Sequence, residues 1–277
     1  MIIVVSDVHM AERLNDRQVE ADDAMFLEFL DRIASDQLSS GGHLVLLGDI
    51  VDLWRRDFGR ALMDSESMLS KLVEISRKAT VHYVAGNHDL HMLRMCELAG
   101  SRFPFEVTKT LPLEDDGTKL FFIHGYQLEV LANPYCKSMT AYETFAEGLC
   151  LAGDDTGNAA DKLWDTFKVA KSALDGIKRL PSDVKGAIDS MMQSPGIRMT
   201  GPHNVRTIVE QLASSMARVV YLGMKPDEFL IFGHTHRPFC DQKNHVANTG
   251  SWNKEPCDHY SFIEIDEGHI TPKTFLP

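Results

Sequence analysis

Five short apolar runs punctuate the chain, at residues 2–5, 44–47, 81–85, 121–123 and 229–232, each of strand rather than helix length. Segments of helical period lie between the first three. Met25, Phe26, Phe29, Leu30 and Ile33 mark one apolar face, and Met68, Leu69, Leu72, Val73 and Ile75 mark another. Strands and helices in alternation predict a βαβαβ unit with a largely parallel sheet, and so an α/β fold. Residues 111–113 and 120–123 flank Asp115-Asp116-Gly117-Thr118, the composition of a hairpin turn. A second hairpin pairs residues 261–265 with 269–275 across Asp266-Glu267-Gly268. Hairpin-connected strands after residue 236 suggest a second sheet.

A polar motif closes each apolar run: Asp7-Val8-His9, Gly48-Asp49, Gly86-Asn87-His88-Asp89, His124-Gly125 and Gly233-His234-Thr235-His236. Taken singly, each has an ordinary structural reading. Asp7 and Asp49 could be turn residues or helix N-caps, Gly48, Gly86 and Asn87 turn formers, and His9 or His124 a buried, hydrogen-bonded histidine. Chance does not place all of them at the ends of five strands. Parallel strands deliver their last side chains to one edge of a sheet, where open α/β sheets hold their sites. Carboxylates, imidazoles and one amide, without cysteine, suit borderline-to-hard divalent ions such as manganese, iron or zinc.

In this order the motifs resemble those of the calcineurin-like metallophosphoesterases: Asp-x-His, Gly-Asp, Gly-Asn-His-Asp, His and Gly-His-x-His. The match runs from residue 1 to about 239, interrupted by one long insertion. The resemblance implies a two-sheet α/β/β/α sandwich, one domain over residues 1–277 with a helical cap inserted at 130–225. It also implies two divalent ions, manganese first with iron or zinc as alternatives. Asp7, His9, Asp49 and His236 would hold one ion, and Asp49, Asn87, His124 and His234 the other, with Asp49 bridging. Within the family the layout is closest to the UDP-2,3-diacylglucosamine hydrolase branch. The shared features are Trp54 after Gly48-Asp49, the helical insertion and the Gly250-Ser251-Trp252 segment. That branch typically carries arginine where this chain has His88. Serine/threonine protein phosphatases match less well, because they follow Gly-Asp with Asp-Arg-Gly where this chain reads Asp52-Leu53-Trp54.

The implied activity is hydrolysis of a phosphodiester or pyrophosphate in a small or amphipathic substrate. Two ions roughly 3.5–4 Å apart share one water and aim it as hydroxide at phosphorus. Asp7 and Asp49 leave the centre a formal charge of about +1, enough to hold a phosphate oxygen. His88 is not needed as a ligand, and by resemblance it serves the leaving group as acid or cation. Asp52 or Asp89 would orient it. For Asp89, an N-cap ahead of residues 90–93 is the competing role.

Between His124 and His234 lie 109 residues, more than neighbouring strands require. Met139, Tyr142, Phe145, Ala146 and Leu149 form one apolar helical stripe, and Leu163, Phe167, Ala170 and Leu174 another. A capped start at Pro181-Ser182-Asp183 precedes a third, and one long helix is expected to carry Val205, Ile208, Val209, Leu212, Met216 and Val219. A lid over the site is the expected use of this segment, and homodimerisation the duller one. Candidate substrate contacts are Arg55, Arg56, Arg198, Arg237 and Ser251, with Arg60, Arg206 and His203 as further cations.

Charge narrows the choice of partner. Residues 126–226 hold eleven basic and eleven acidic side chains, so the net charge of −12 belongs to the rest of the chain. An acidic body with no basic stripe argues against an extended nucleic-acid surface and for a small phosphorylated substrate. A metal-dependent nuclease is the alternative reading, since Gly48-Asp49-Ile50-Val51-Asp52 also resembles the DNA-repair exonucleases. A catalytically inactive metal-binding scaffold is the alternative of another class, opposed by the complete ligand set and His88. Five cysteines in no CxxC spacing read as free thiols of a reducing compartment. Residue 1 leads straight into the first strand and no apolar run approaches membrane-span length, so a cytoplasmic location is expected.

Overall fold

The computed structural model describes residues 1–10, 17–55, 57–132, 138–152, 205–252 and 260–276. In chain order these form β1 (Ile2–Val5), α1 (Arg17–Ser35), β2 (His43–Leu47), α2 (Phe58–Asp64), α3 (Glu66–Ile75), β3 (Thr80–Val84), α4 (Met92–Ala99) and β4 (Glu106–Thr108). The hairpin β5 (Thr110–Asp115) and β6 (Thr118–Ile123) follows, then α5 (Tyr126–Ala132), α6 (Met139–Ala152), α7 (Val205–Ala213) and α8 (Ala217–Leu222). The chain closes with β7 (Phe229–Phe232), β8 (Phe239–Asp241), β9 (Val246–Asn248), β10 (Ser261–Asp266) and β11 (His269–Thr274).

Two mixed sheets result, ordered β11-β10-β1-β2-β3-β4 and β5-β6-β7-β9-β8. Side-chain alternation explains how they stack. Ile2 and Val4 face one way and join Val45, Leu47, Phe122, Phe229, Ile231 and Ile263 in an apolar layer between the sheets. Ile3 and Val5 face the other way and pack with Phe26, Phe29, Met68 and Leu72 from α1 and α3. On the second sheet Ile123, Leu230 and Phe232 point outward onto Leu128 of α5 and Val209 and Ala213 of α7. Strands covered on both faces must be apolar throughout, which is why they read as continuous runs. The architecture is an α/β/β/α sandwich.

Three expectations change. The five apolar runs do not share one sheet edge: β1, β2 and β3 belong to the first sheet, β6 and β7 to the second. The C-terminal hairpin does not join the second sheet. β10 pairs antiparallel with β1, Ile2 opposite Ile265, and so covers what would otherwise be an open strand edge. The long helix after residue 204 is two helices. Ser214 Oγ–H donates to Glu210 O and Ser215 Oγ–H to Leu212 O, side-chain bonds that compete with helix continuation. The stripes expected at 163–174 and 184–192 lie outside the described residues. Among those described, no helix is long and apolar enough to cross a membrane.

Candidate metal centre

Backbone pairing runs on past the strands and builds the rim. Asp7 N–H donates to Gly48 O (3.0 Å), His9 N–H to Asp49 O (2.9 Å) and Met10 N–H to Ile50 O (2.8 Å), zipping the loops after β1 and β2 together. On the second sheet Gly233 N–H donates to His124 O (2.8 Å). The two rims are tied where His234 N–H donates to Asp7 Oδ2 (2.9 Å). A Cβ at position 86 would run into the Asp49 carboxylate, so glycine there lets the Asn87 loop approach. Five rim residues take left-handed backbone, namely Asp7 (φ 53°), His9 (52°), Asp49 (54°), His234 (68°) and His236 (59°). Such residues cost on the order of 1 kcal/mol or more each and cluster at functional sites.

The loops bring Asp7, His9, Asp49, Asn87, His124, His234 and His236 together. Each carboxylate divides its oxygens. Asp7 Oδ2 is taken by Ser6 Oγ–H and His234 N–H, whereas Oδ1 lies 3.1 Å from His236 Nε2. Asp49 Oδ1 accepts from His88 N–H (2.8 Å), whereas Oδ2 lies 3.1 Å from His124 Nε2 and 3.9 Å from His9 Nε2. Ligand atoms of Asp7, His9 and His236 fall within 4.8 Å of one another, as do those of Asp49, His124 and His234.

These donors fit divalent cations. His9 Nε2 and Asn87 Oδ1 are buried without a hydrogen-bond partner, and the buried Asp7 Oδ1 faces the His236 imidazole at 3.1 Å. An unsatisfied buried polar group costs roughly 1–3 kcal/mol, so such lone-pair donors in one rim point to a cation as their partner. The electrostatics agree. Burial alone would raise the Asp7 pKa, but His236 and His124 outweigh it and hold the carboxyl at about 2. Burial would likewise raise Asp49, yet His124, His88 and His9 hold it well below the usual range. Burial opposes a charged His9, but Asp52 and Asp49 push it up to about 9. His124 rises against burial to about 10 through Asp49 and Asp7. Without a cation, protons on these imidazoles neutralise the buried carboxylates.

Asp52 lies behind this group. Its Oδ2 is 3.1 Å from His9 Nδ1, 3.2 Å from His88 Nδ1 and 3.1 Å from an Arg55 guanidinium nitrogen. Burial would raise Asp52, but the His88, His9 and Arg55 contacts hold it well below the ordinary carboxylate range. Trp54 stacks on the His88 ring at 4.3 Å between centroids. His88 is therefore fixed on one edge and one face.

Other expected residues are placed differently. Asp89 does not reach His88, because it accepts from Gly86 N–H (2.6 Å), Ile50 N–H (2.8 Å) and Tyr83 O–H (2.6 Å), bracing the loop. Nor does it cap a helix, since α4 begins after His91 with no side-chain cap. Ser251 is buried and donates to Asp7 O (3.3 Å), fixing the Asp7 loop from behind. Arg55 is engaged by Asp52, and Arg237 lies 3.9 Å from Glu210 of α7. Arg56 and Arg198 lie outside the described residues. Sequence reasoning missed Glu129 on α5, a buried carboxylate hydrogen-bonded to His234 Nε2. Its signal was an acidic residue inside the apolar stretch of α5. Cys150 was also missed. Its thiol donates to His88 O (3.4 Å) and ties α6 to the site.

A family model for calcineurin-like phosphoesterases matches residues 1–238. The chain belongs to that family and is a metal-dependent phosphoester hydrolase. Among curated proteins it is similar to UDP-2,3-diacylglucosamine hydrolase of Shewanella baltica (strain OS195), 27% identical over 225 residues, covering 79% of this chain and 87% of the relative. The enzyme of that name from Shewanella sp. (strain W3-18-1) is 25% identical over 257 residues, covering 90% and 88%. A dimetal phosphatase from Danio rerio aligns over 98% of this chain and 94% of its own at 12% identity and a TM-score of 0.46, a likeness too loose to bear on any residue.

Proposed function

We propose that the protein cleaves the phosphodiester or pyrophosphate of a small or amphipathic substrate with two divalent ions, manganese by preference. The observation that carries this reading is the gathering of buried donors at one rim, His9 Nε2 and Asn87 Oδ1 without hydrogen-bond partners beside Asp7, Asp49, His124, His234 and His236. Asp7, His9, Asp49 and His236 would hold one ion, and Asp49, Asn87, His124 and His234 the other. Bound there, the pair would supply Lewis acidity and a water acidic enough to attack phosphorus.

The chain's residues do the rest. Ser6 and the His234 N–H hold one oxygen of Asp7 so that the other is presented inward, and the His88 N–H does the same for Asp49. His88, with Nδ1 committed to Asp52, keeps Nε2 for the leaving-group oxygen and gives it a proton as the ester bond breaks. Trp54 excludes water from one face of that imidazole. The insertion expected at 130–225 would serve as a lid over the non-phosphate part of the substrate. Most of it lies outside the described residues; α6 is its described portion beside the site, whereas α7 packs on the outer face of the second sheet. Helix α6 is fastened to the site by the bond from Trp54 Nε1–H to Ala146 O (3.2 Å) and by Cys150. The substrate in the relatives' name, a UDP-linked diacylated sugar, carries a diphosphate and apolar groups, the same chemical class.

The test is a screen of the manganese-loaded protein against nucleotide sugars, lipid pyrophosphates, cyclic nucleotides, oligonucleotides and chromogenic mono- and diesters. Diester or pyrophosphate turnover above monoester turnover is expected. Preference for oligonucleotides would make the protein a nuclease, and no turnover with two ions bound would leave a scaffold.

A further inference from the structure

We infer that Glu129 is a positioning residue for the metal centre, fixing which nitrogen of His234 is offered to an ion. This rests on the two-ion reading above. The buried Glu129 carboxylate accepts a hydrogen bond from His234 Nε2. A carboxylate can only accept, so Nε2 carries the proton and Nδ1 keeps the lone pair in the neutral, ligating form. His124 is set in the opposite sense. Its Nδ1–H donates to Leu47 O (2.8 Å), which leaves the lone pair on Nε2. His234 Nδ1 and His124 Nε2 lie 3.2 Å apart, and His124 Nε2 also lies 3.1 Å from Asp49 Oδ2. Two lone pairs facing at that distance repel unless a cation, or a proton in its place, lies between them.

The direction of Glu129 is fixed from outside the site. On α5 its neighbour Leu128 packs with Val209 and Ala213 under the second sheet, whereas Val130 belongs to the larger apolar cluster that also holds Tyr142 and Phe145 of α6. Neighbouring residues anchored in two different apolar clusters oppose rotation of the helix about its axis and keep Glu129 aimed at the rim. A carboxylate behind a ligating imidazole raises its basicity and holds its ring plane, and losing such a partner typically costs 10–100-fold in metal affinity. No residue of the five polar motifs supplies this carboxylate. It comes from the helix that leads into the insertion.

The experiment is a Co²⁺ titration of metal-free wild type, Glu129→Ala and Glu129→Gln, read by calorimetry and by the visible spectrum of bound cobalt. Wild type should take up two ions. Glu129→Ala should hold one of them 10–100-fold more weakly, with the other little changed. Glu129→Gln, whose amide oxygen still accepts from Nε2–H, should lose less than about tenfold and keep the wild-type spectrum. If Glu129→Ala does not fold, Glu129→Leu, which keeps the volume and removes the acceptor, takes its place with the same 10–100-fold, one-sided loss expected. Wild-type affinity for both ions in both variants would overturn the inference. So would equal, complete loss of one ion in both, because Glu129 would then be a ligand itself. A wild type that binds fewer than two ions would instead sink the two-metal reading.

Discussion

The two halves of the metal centre are backed by carboxylates of different origin. Behind His9 and His88 is Asp52, three residues after Asp49 and on the same loop. Behind His234 is Glu129, which reaches the site from a helix on the second sheet's outer face. In one half the backing carboxylate therefore sits on the same loop as the ligand candidate Asp49, and it also touches His88, the imidazole proposed to serve the leaving group. The other half depends on packing between a helix and a sheet. Local wiring joins chemistry to metal binding, and remote wiring confines a carboxylate to metal binding alone.

The strongest way to erase that contrast is to remove the residue common to both halves. Asp49→Ala should lose activity by more than about 10⁴-fold, beyond the usual range for an acid–base residue, and weaken both ions. Asn87→Ala should weaken mainly one. Elemental analysis showing two tightly held ions in the Asp49 variant would refute its bridging position.

Next in size is the separation of chemistry from binding. His88→Ala should keep both ions while kcat falls roughly 10²–10⁴-fold, most for substrates with poor leaving groups. Asp52→Asn should show that loss together with weaker metal binding through His9, by about 10–100-fold. If Asp52→Asn left metal affinity untouched, its contact with His9 would have no bearing on the centre.

A pH series sharpens the comparison further. His9 and His124 are raised from 6.5 to about 9 and about 10 in the metal-free protein. The stability they contribute is complete below pH 6.5 and is lost as pH rises through 9 to 10. Asp7, depressed from 3.8 to about 2, contributes stability above pH 3.8 that is lost as pH falls through 2. Ions must displace the imidazole protons, so uptake at pH 7 should release protons and apparent affinity should rise with pH up to about 10. Calorimetry in buffers of different ionisation enthalpy measures that release, and uptake without it would contradict the protonated resting state.

The smallest expected effect concerns backbone. His236 has a φ of 59°, where glycine is unstrained and alanine is not. Metal-free His236→Gly should therefore be more stable than His236→Ala by roughly 1 kcal/mol in thermal unfolding. Equal stability would mean that the loop relaxes when the imidazole is removed.

How much of this was legible in the chain follows the same division. The apolar runs and their polar closures lead directly to the strands, the rim and the seven side chains gathered there, because a strand end fixes where the next residues emerge. Asp52 was readable for the same reason, being close in sequence to Asp49. Glu129 was not, since only the packing of α5 turns it toward His234. The destination of the C-terminal hairpin was hidden as well. Alternation shows that Ile263 and Ile265 face a core, but not which sheet edge β10 completes. Asp89 was misread because a carboxylate next to His88 in sequence is turned by the loop toward Tyr83 and two backbone N–H groups.

The left-handed ligand residues also bear on how such a chain can drift. Once selection for turnover lapses, replacing one of these rim residues by glycine relieves a strained backbone position at the cost of the ion pairs its side chain makes. Loss of catalysis would then come with relief of backbone strain that offsets part of the lost pairing, so inactive descendants of this sequence should persist as folded proteins. Glycine at positions equivalent to Asp7, His9 or His236 would be the trace of that history.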